Sequence, residues 1–80
     1  MERFVVLFGG AMDSFEAGRV EEGAVRCRTL MQNLKVEGYK DYSKVVGNVI
    51  KSAKNGASQD YLFSKIQELF FSFAKEHSGN

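Results

Sequence analysis

The side chains able to do covalent or acid–base chemistry are few, and they are scattered. Cys27 is the single cysteine and His77 the single histidine of the 80 residues. A thiol becomes a nucleophile when a nearby base or positive charge favours the thiolate. Cys27 instead falls within an apolar stripe with no histidine placed to activate it, which points to a buried structural thiol. One Cys and one His fall short of a structural zinc site, and a lone cysteine forms no intrachain disulfide. A general base needs a fixed orientation. His77 opens the closing stretch His77-Ser-Gly-Asn80, which is expected to fray and leave the imidazole in solvent. Among the carboxylates, Glu21 and Glu22 are neighbours pointing about 100° apart on a helix, and Asp13-Ser-Phe-Glu16 reads as a capping box that would start a helix near Ser14. No nucleophile, base and orienting group can be assembled from these residues. We therefore expect no catalytic residue, metal or cofactor.

Glycine-rich loop chemistry is the next candidate. Phe8-Gly-Gly-Ala-Met-Asp-Ser14 follows the run Val5-Val-Leu. It resembles the phosphate-binding loop of the ATP pyrophosphatase superfamily, in which a hydrophobic strand leads into Ser-Gly-Gly-x-Asp-Ser. The resemblance covers about a dozen residues. It departs from the pattern where Phe8 stands in place of the first Ser and where one extra residue separates the glycines from Asp13-Ser14. What it implies is a strand followed by a loop whose backbone N–H groups meet phosphate at a helix N-terminus. That geometry needs a parallel sheet, and no later strands follow in this chain.

Binding chemistry is better represented. Lys40, Lys44, Lys51 and Lys54 cluster within an arc of roughly 80° on a helical wheel, with Gly47 completing the row. Such a face can track phosphates or steer an acidic partner. The face lacks arginine, the residue suited to bidentate readout of bases. A helix-turn-helix across Asn55-Gly-Ala57 would present a recognition helix with few basic contacts, Lys65 among Gln59, Gln67 and Glu68. Apolar residues off the main helical stripes form the other binding candidate. Phe71 points roughly 180° from Leu62, the first residue of its helix's apolar face. Val25 and Val36 lie off the face of the second segment, and Val6 and Leu7 off that of the first. Several such residues on a small domain, one of them aromatic, suggest a contact surface. The competing expectation is a fully wrapped central helix that buries Phe71.

The elements that must position these residues follow from periodicity and punctuation. Gly38 and Asn55-Gly56 each close a periodic segment, where a left-handed residue ends a helix, and Gly18 is a weaker third break. In residues 2–17, Phe4, Phe8, Met12 and Phe15 make one helical stripe supported by Val5 and Ala11, despite Gly9-Gly10. The alternative there is a strand over Arg3–Phe8, which would lack a partner strand in the chain. The second segment, about residues 19–37, carries Val20, Ala24, Cys27, Met31 and Leu34, with Gly23 and Leu30 on the flank. The third, about 39–54, turns Tyr42, Val46, Val49 and Ala53 inward, with Val45 and Ile50 beside them. The fourth, about 59–76, starts after Ser58 as N-cap and carries Leu62, Phe63, Ile66, Leu69, Phe70 and Phe73 on one face.

Composition agrees with this reading. The 80 residues carry a net charge of +1 and no proline, and helix interiors exclude proline. The longest apolar run, Phe4–Phe8, is far below the roughly 20 residues of a membrane span and below a signal-peptide core. We expect a single all-α domain over residues 1–80: a small compact bundle of three main helices plus an N-terminal helix, cytoplasmic, with a reduced thiol and no membrane contact. For function we expect a non-enzymatic interaction module, an adaptor, regulator or inhibitor, that homodimerises through the aromatic surface around Phe71, with Val25 and Val36 as further partner-binding residues. Lys40, Lys44, Lys51 and Lys54 would steer an acidic protein partner. The alternative is a nucleic-acid-binding regulator using that lysine face.

Overall fold

Residues 2–77 are described by a computed structural model. They form α1 (Glu2–Glu16), α2 (Val20–Val36), α3 (Lys40–Lys54) and α4 (Gln59–His77). The N-terminal segment is helix, so the strand reading of Arg3–Phe8 is overturned. Its fourfold-spaced aromatics outweigh its β-branched content, because the helix lets Phe4, Phe8, Ala11 and Phe15 all reach the core. The phosphate-loop resemblance falls with the strand. Gly9 and Gly10 lie within α1, where their N–H groups belong to the helix's own hydrogen-bonding ladder rather than to a loop.

Three helix ends share one device. Gly18, Gly38 and Gly56 each adopt positive φ, at 80°, 92° and 85°. Around Gly18, the Gly18 N–H donates to Phe15 O (3.0 Å) and the Arg19 N–H to Ser14 O (2.8 Å). Gly38 with Tyr39, and Gly56 with Ala57, repeat both bonds. This is the Schellman arrangement, in which a left-handed glycine turns the chain while satisfying the last carbonyls. At the start of α4, the Tyr61 N–H donates to the Ser58 hydroxyl (3.2 Å), the expected N-cap. The proposed capping box at Ser14 is not used. Ser14 lies inside α1, and its hydroxyl donates to Glu22 (2.8 Å).

Short connections bring each helix back along its predecessor, and the helices touch in ring order, with α4 closing against α1. The last pair runs antiparallel. Phe4 meets Phe73 at 5.3 Å between ring centroids, while at the other end Gln59 donates to Glu16 O. Phe8, Phe15, Cys27, Leu30, Leu34, Val46, Leu62 and Ile66 are wholly buried at the centre.

The expected stripes hold with local shifts. In α4, Leu62, Ile66, Leu69 and Phe73 are buried, and Phe63 and Phe70 are half-buried on its flank. In α2 the buried line is Gly23, Cys27, Leu30 and Leu34, while Val20, Ala24 and Met31 are only half-buried. The helix is rotated from the expected face because the flank position Gly23 lets α1 approach. A Cβ on Gly23 would lie under 3.0 Å from three ring carbons of the buried Phe15. Val5 and Val45 also depart from their expected inward placement, at 43% and 40% exposed.

Candidate functional site

Two faces of the bundle and one of its ends gather the residues of interest. The first face belongs to α4. Phe71 projects from the outer side of the helix and is 61% exposed, which excludes the fully wrapped reading of α4. It is joined to the core by a run of rings: Phe71 to Phe70 at 5.9 Å, Phe70 to Phe8 at 5.3 Å, Phe8 to Phe73 at 5.6 Å. On α1, helical phase turns Val5 and the half-buried Met12 toward α4. Met12 and Phe70 pack on the core, and Phe71 reaches it through Phe70.

The other expected apolar contacts do not join it. Val25 lies with Val6 and Leu7 along the groove between α1 and α2. Val36 stands at the C-terminal end of α2, 83% exposed. The candidate residues thus occupy separate places and do not form one site.

The second face is basic. Lys40, Lys44, Lys51 and Lys54 are all exposed on α3. Among the described residues the ion pairs are made by Arg3 with Glu37 and by Arg19 and Arg26 with Glu22, so the lysine row is uncompensated. Between α2 and α3 this face opens into a cleft of about 430 Å³. Met31 and Gly47 contribute apolar lining, and Lys35, Lys40 and Lys44 also border it. The row was legible in the sequence, but the cleft was not. Gly47 leaves room there opposite Met31, whose sulfur would be in ordinary contact, 3.4 Å, with a Cβ.

Charge is divided between the two halves of the ring. α1 carries Glu2, Asp13 and Glu16 against Arg3, and α4 carries Asp60, Glu68 and Glu76 against Lys65 and Lys75, a formal −3 with His77 neutral. α2 and α3 carry Arg26, Arg28, Lys35 and the four lysines of the row against Glu21, Glu22 and Asp41, a formal +4. A net charge of +1 therefore conceals a dipolar molecule.

His77 keeps the expected solvent exposure but departs from expectation in its setting. It is the last residue of α4 rather than a free end, with its ring 4.7 Å from those of Tyr39 and Phe73 and 5.9 Å from Tyr42. The expectation of fraying at Ser78, Gly79 and Asn80 lies outside the described residues. Aromatic partners supplied by α3 and the turn before it hold the imidazole, and no sequence-local signal marks them. Beside it, the Tyr42 hydroxyl donates to Glu76. Burial first and the Glu76 contact second raise the Tyr42 pKa. At the α1–α2 seam, the Ser14 hydrogen bond chiefly lowers the Glu22 pKa, helped by the charges of Arg19 and Arg26 and opposed by partial desolvation. The stabilising contribution of that carboxylate is present above the ordinary carboxylate range and lost as pH falls through its lowered value.

Cys27 is wholly buried, and desolvation pushes its thiol to about 12. The thiolate is the reactive form. Cys27 is therefore expected to resist a thiol reagent at neutral pH in the native protein and to react at the rate of a free cysteine once urea unfolds it. Rapid stoichiometric labelling of the native protein would overturn this reading. Among the described residues no cluster of His, Cys, Asp and Glu is arranged to hold a metal ion. No described helix is long and apolar enough to cross a membrane. No protein-family model, curated protein or solved structure matches the chain.

Proposed function

We propose that this domain is a protein-interaction module that associates with itself through the exposed ring of Phe71 on the outer side of α4 and regulates by occupying a protein surface. The observation that carries this reading is the run of rings from Phe8 through Phe70 to Phe71, whose last member is 61% exposed. An aromatic joined to a rigid core presents a large apolar area at little cost in side-chain entropy, the property that makes aromatics interface anchors. The lysine face of α3 adds long-range attraction for an acidic surface.

Phe71→Ser tests it. Solution mass measured over a concentration series is expected to rise for the wild type and to stay at the monomer value for the variant. Helicity should be unchanged and stability should move by no more than about 0.5 kcal/mol, as for an exposed position. A wild type that remains monomeric throughout, or a variant that associates equally well, would remove the support for this reading.

A second reading, nucleic-acid binding along α3, is favoured by one observation: the four lysines are exposed and enter none of the described ion pairs. Phosphate-driven binding weakens steeply with salt. Failure to bind DNA or RNA at low ionic strength would eliminate it.

A further inference from the structure

We infer that self-association is head-to-tail: Phe71 of one copy enters the cleft between α2 and α3 of the next. This rests on the interaction reading above and names the surface that receives Phe71. Three features of the cleft suit an aromatic ring. Its volume, about 430 Å³, is open along the lysine face. Met31 and Gly47 give it an apolar lining, and a thioether favours contact with an aromatic ring. Lys35, Lys40 and Lys44 border it, and ammonium groups are attracted to an aromatic face.

Charge selects the same pairing. The half of the molecule that carries Phe71 has a formal charge of −3 and the half that carries the cleft +4. A symmetric contact of two Phe71 faces would set acidic half against acidic half, and like-charge juxtaposition opposes association. A head-to-tail contact sets acidic against basic. Glu68, one turn before Phe71 on α4, is carried toward the cleft lysines. Lys75, one turn after it, cancels Glu68 beside the ring, so the complementarity is that of the two halves of the molecule. Because the donor and acceptor surfaces differ, the contact is heterologous. Each copy uses both, so the assembly grows until it closes into a ring or extends as a filament.

The test uses two full-length variants. Phe71→Ser removes the inserted ring and keeps the cleft. Lys40→Glu with Lys44→Glu reverses the charge at the cleft and keeps Phe71. All three positions are exposed, so the native helicity and cooperative melting of each variant serve as the check on folding. Wild type is expected to form species larger than a dimer at high concentration, with association weakened roughly tenfold or more by raised salt, as for contacts between opposite charges. Each variant alone is expected to be monomeric. Mixed in equal amounts they are expected to form a dimer and nothing larger, because one copy still has a usable ring and the other a usable cleft.

If wild type associates and Phe71→Ser is monomeric, yet the lysine-reversed variant dimerises alone at wild-type strength, the contact is symmetric; the head-to-tail inference falls while the interaction reading stands. A mixture of the two variants that stays monomeric would also overturn the head-to-tail inference. A wild type that is monomeric at every concentration overturns both, and salt-sensitive capture of DNA or RNA by that monomer would assign the lysine face to nucleic acid instead.

Discussion

Gly23→Ala is expected to cost about 2–3 kcal/mol and to lower Tm by roughly 10–20 °C, although alanine is the better helix former by about 1 kcal/mol. The added methyl carbon would sit under 3.0 Å from three ring carbons of Phe15, which is itself wholly buried. Helices α1 and α2 must part or Phe15 must leave its rotamer, and the strain exceeds the gain in propensity. The same substitution at Gly9 has the opposite sign. Gly9 lies in α1 with nothing within 4 Å of where its Cβ would be, so Gly9→Ala should stabilise by about 0.5–1 kcal/mol. Thermal melts of the two variants followed by circular dichroism check both signs. Trimming the ring in Phe15→Leu should reduce the penalty of Gly23→Ala, since residues in contact are energetically coupled. An undiminished penalty in that background would show that the ring is not the obstacle.

This contrast also explains which parts of the fold were legible in the sequence. The breaks at Gly18, Gly38 and Gly56 were readable because a glycine after a periodic segment has one common use, and all three adopt the left-handed conformation that use requires. The Phe4, Phe8 and Phe15 stripe was readable because large apolar residues at helical spacing are hard to place anywhere but inside. The orientation of α2 was not. A hydrophobic pattern gives a glycine no weight, yet Gly23 is buried against the ring of Phe15 on α1, and α2 turns to bring it there. Gly47 eluded the pattern for a related reason. Its contribution is an absence, the space that helps open the α2–α3 cleft. The end of α4 was set short of His77 because Tyr39 and Tyr42 reach it only through tertiary contact, although Phe73 lies one turn before it on the same helix.

The binding residues divide in the same way. A single off-face aromatic such as Phe71 is a local observation, since phase within one helix places it. Whether Val25 and Val36 belong with it is a question of how helices are arranged around the ring, and periodicity within a helix carries no information about that. The charge asymmetry is intermediate. Each helix's charge could be summed from the sequence, but the ring order pairs acidic α1 with acidic α4 and basic α3 with α2, and only then does a near-neutral chain become a dipole. Such a dipole influences approach and orientation more than it holds a complex together.

Phe8→Ala is expected to be the most damaging single truncation, at about 3–5 kcal/mol. Phe8 is wholly buried and sits between Phe70 and Phe73, at 5.3 and 5.6 Å between ring centroids. Removing it deletes both ring contacts and opens a cavity that two turns of α4 would have to collapse to fill. A domain of 80 residues has little in reserve, since native stabilities are commonly about 5–15 kcal/mol and small chains lie toward the low end. Urea unfolding should therefore show either a sharply lowered midpoint or a largely unfolded protein in water. Phe8→Leu, which keeps most of the volume, separates packing from aromaticity: it should fold and lose less. Phe8 also anchors the rings that end at Phe71, so Phe8→Leu should weaken self-association while remaining native, because the support beneath the exposed aromatic is altered although the exposed aromatic is not. If Phe8→Leu associates as strongly as wild type, Phe71 acts as an isolated surface residue and the run of rings contributes to the fold alone.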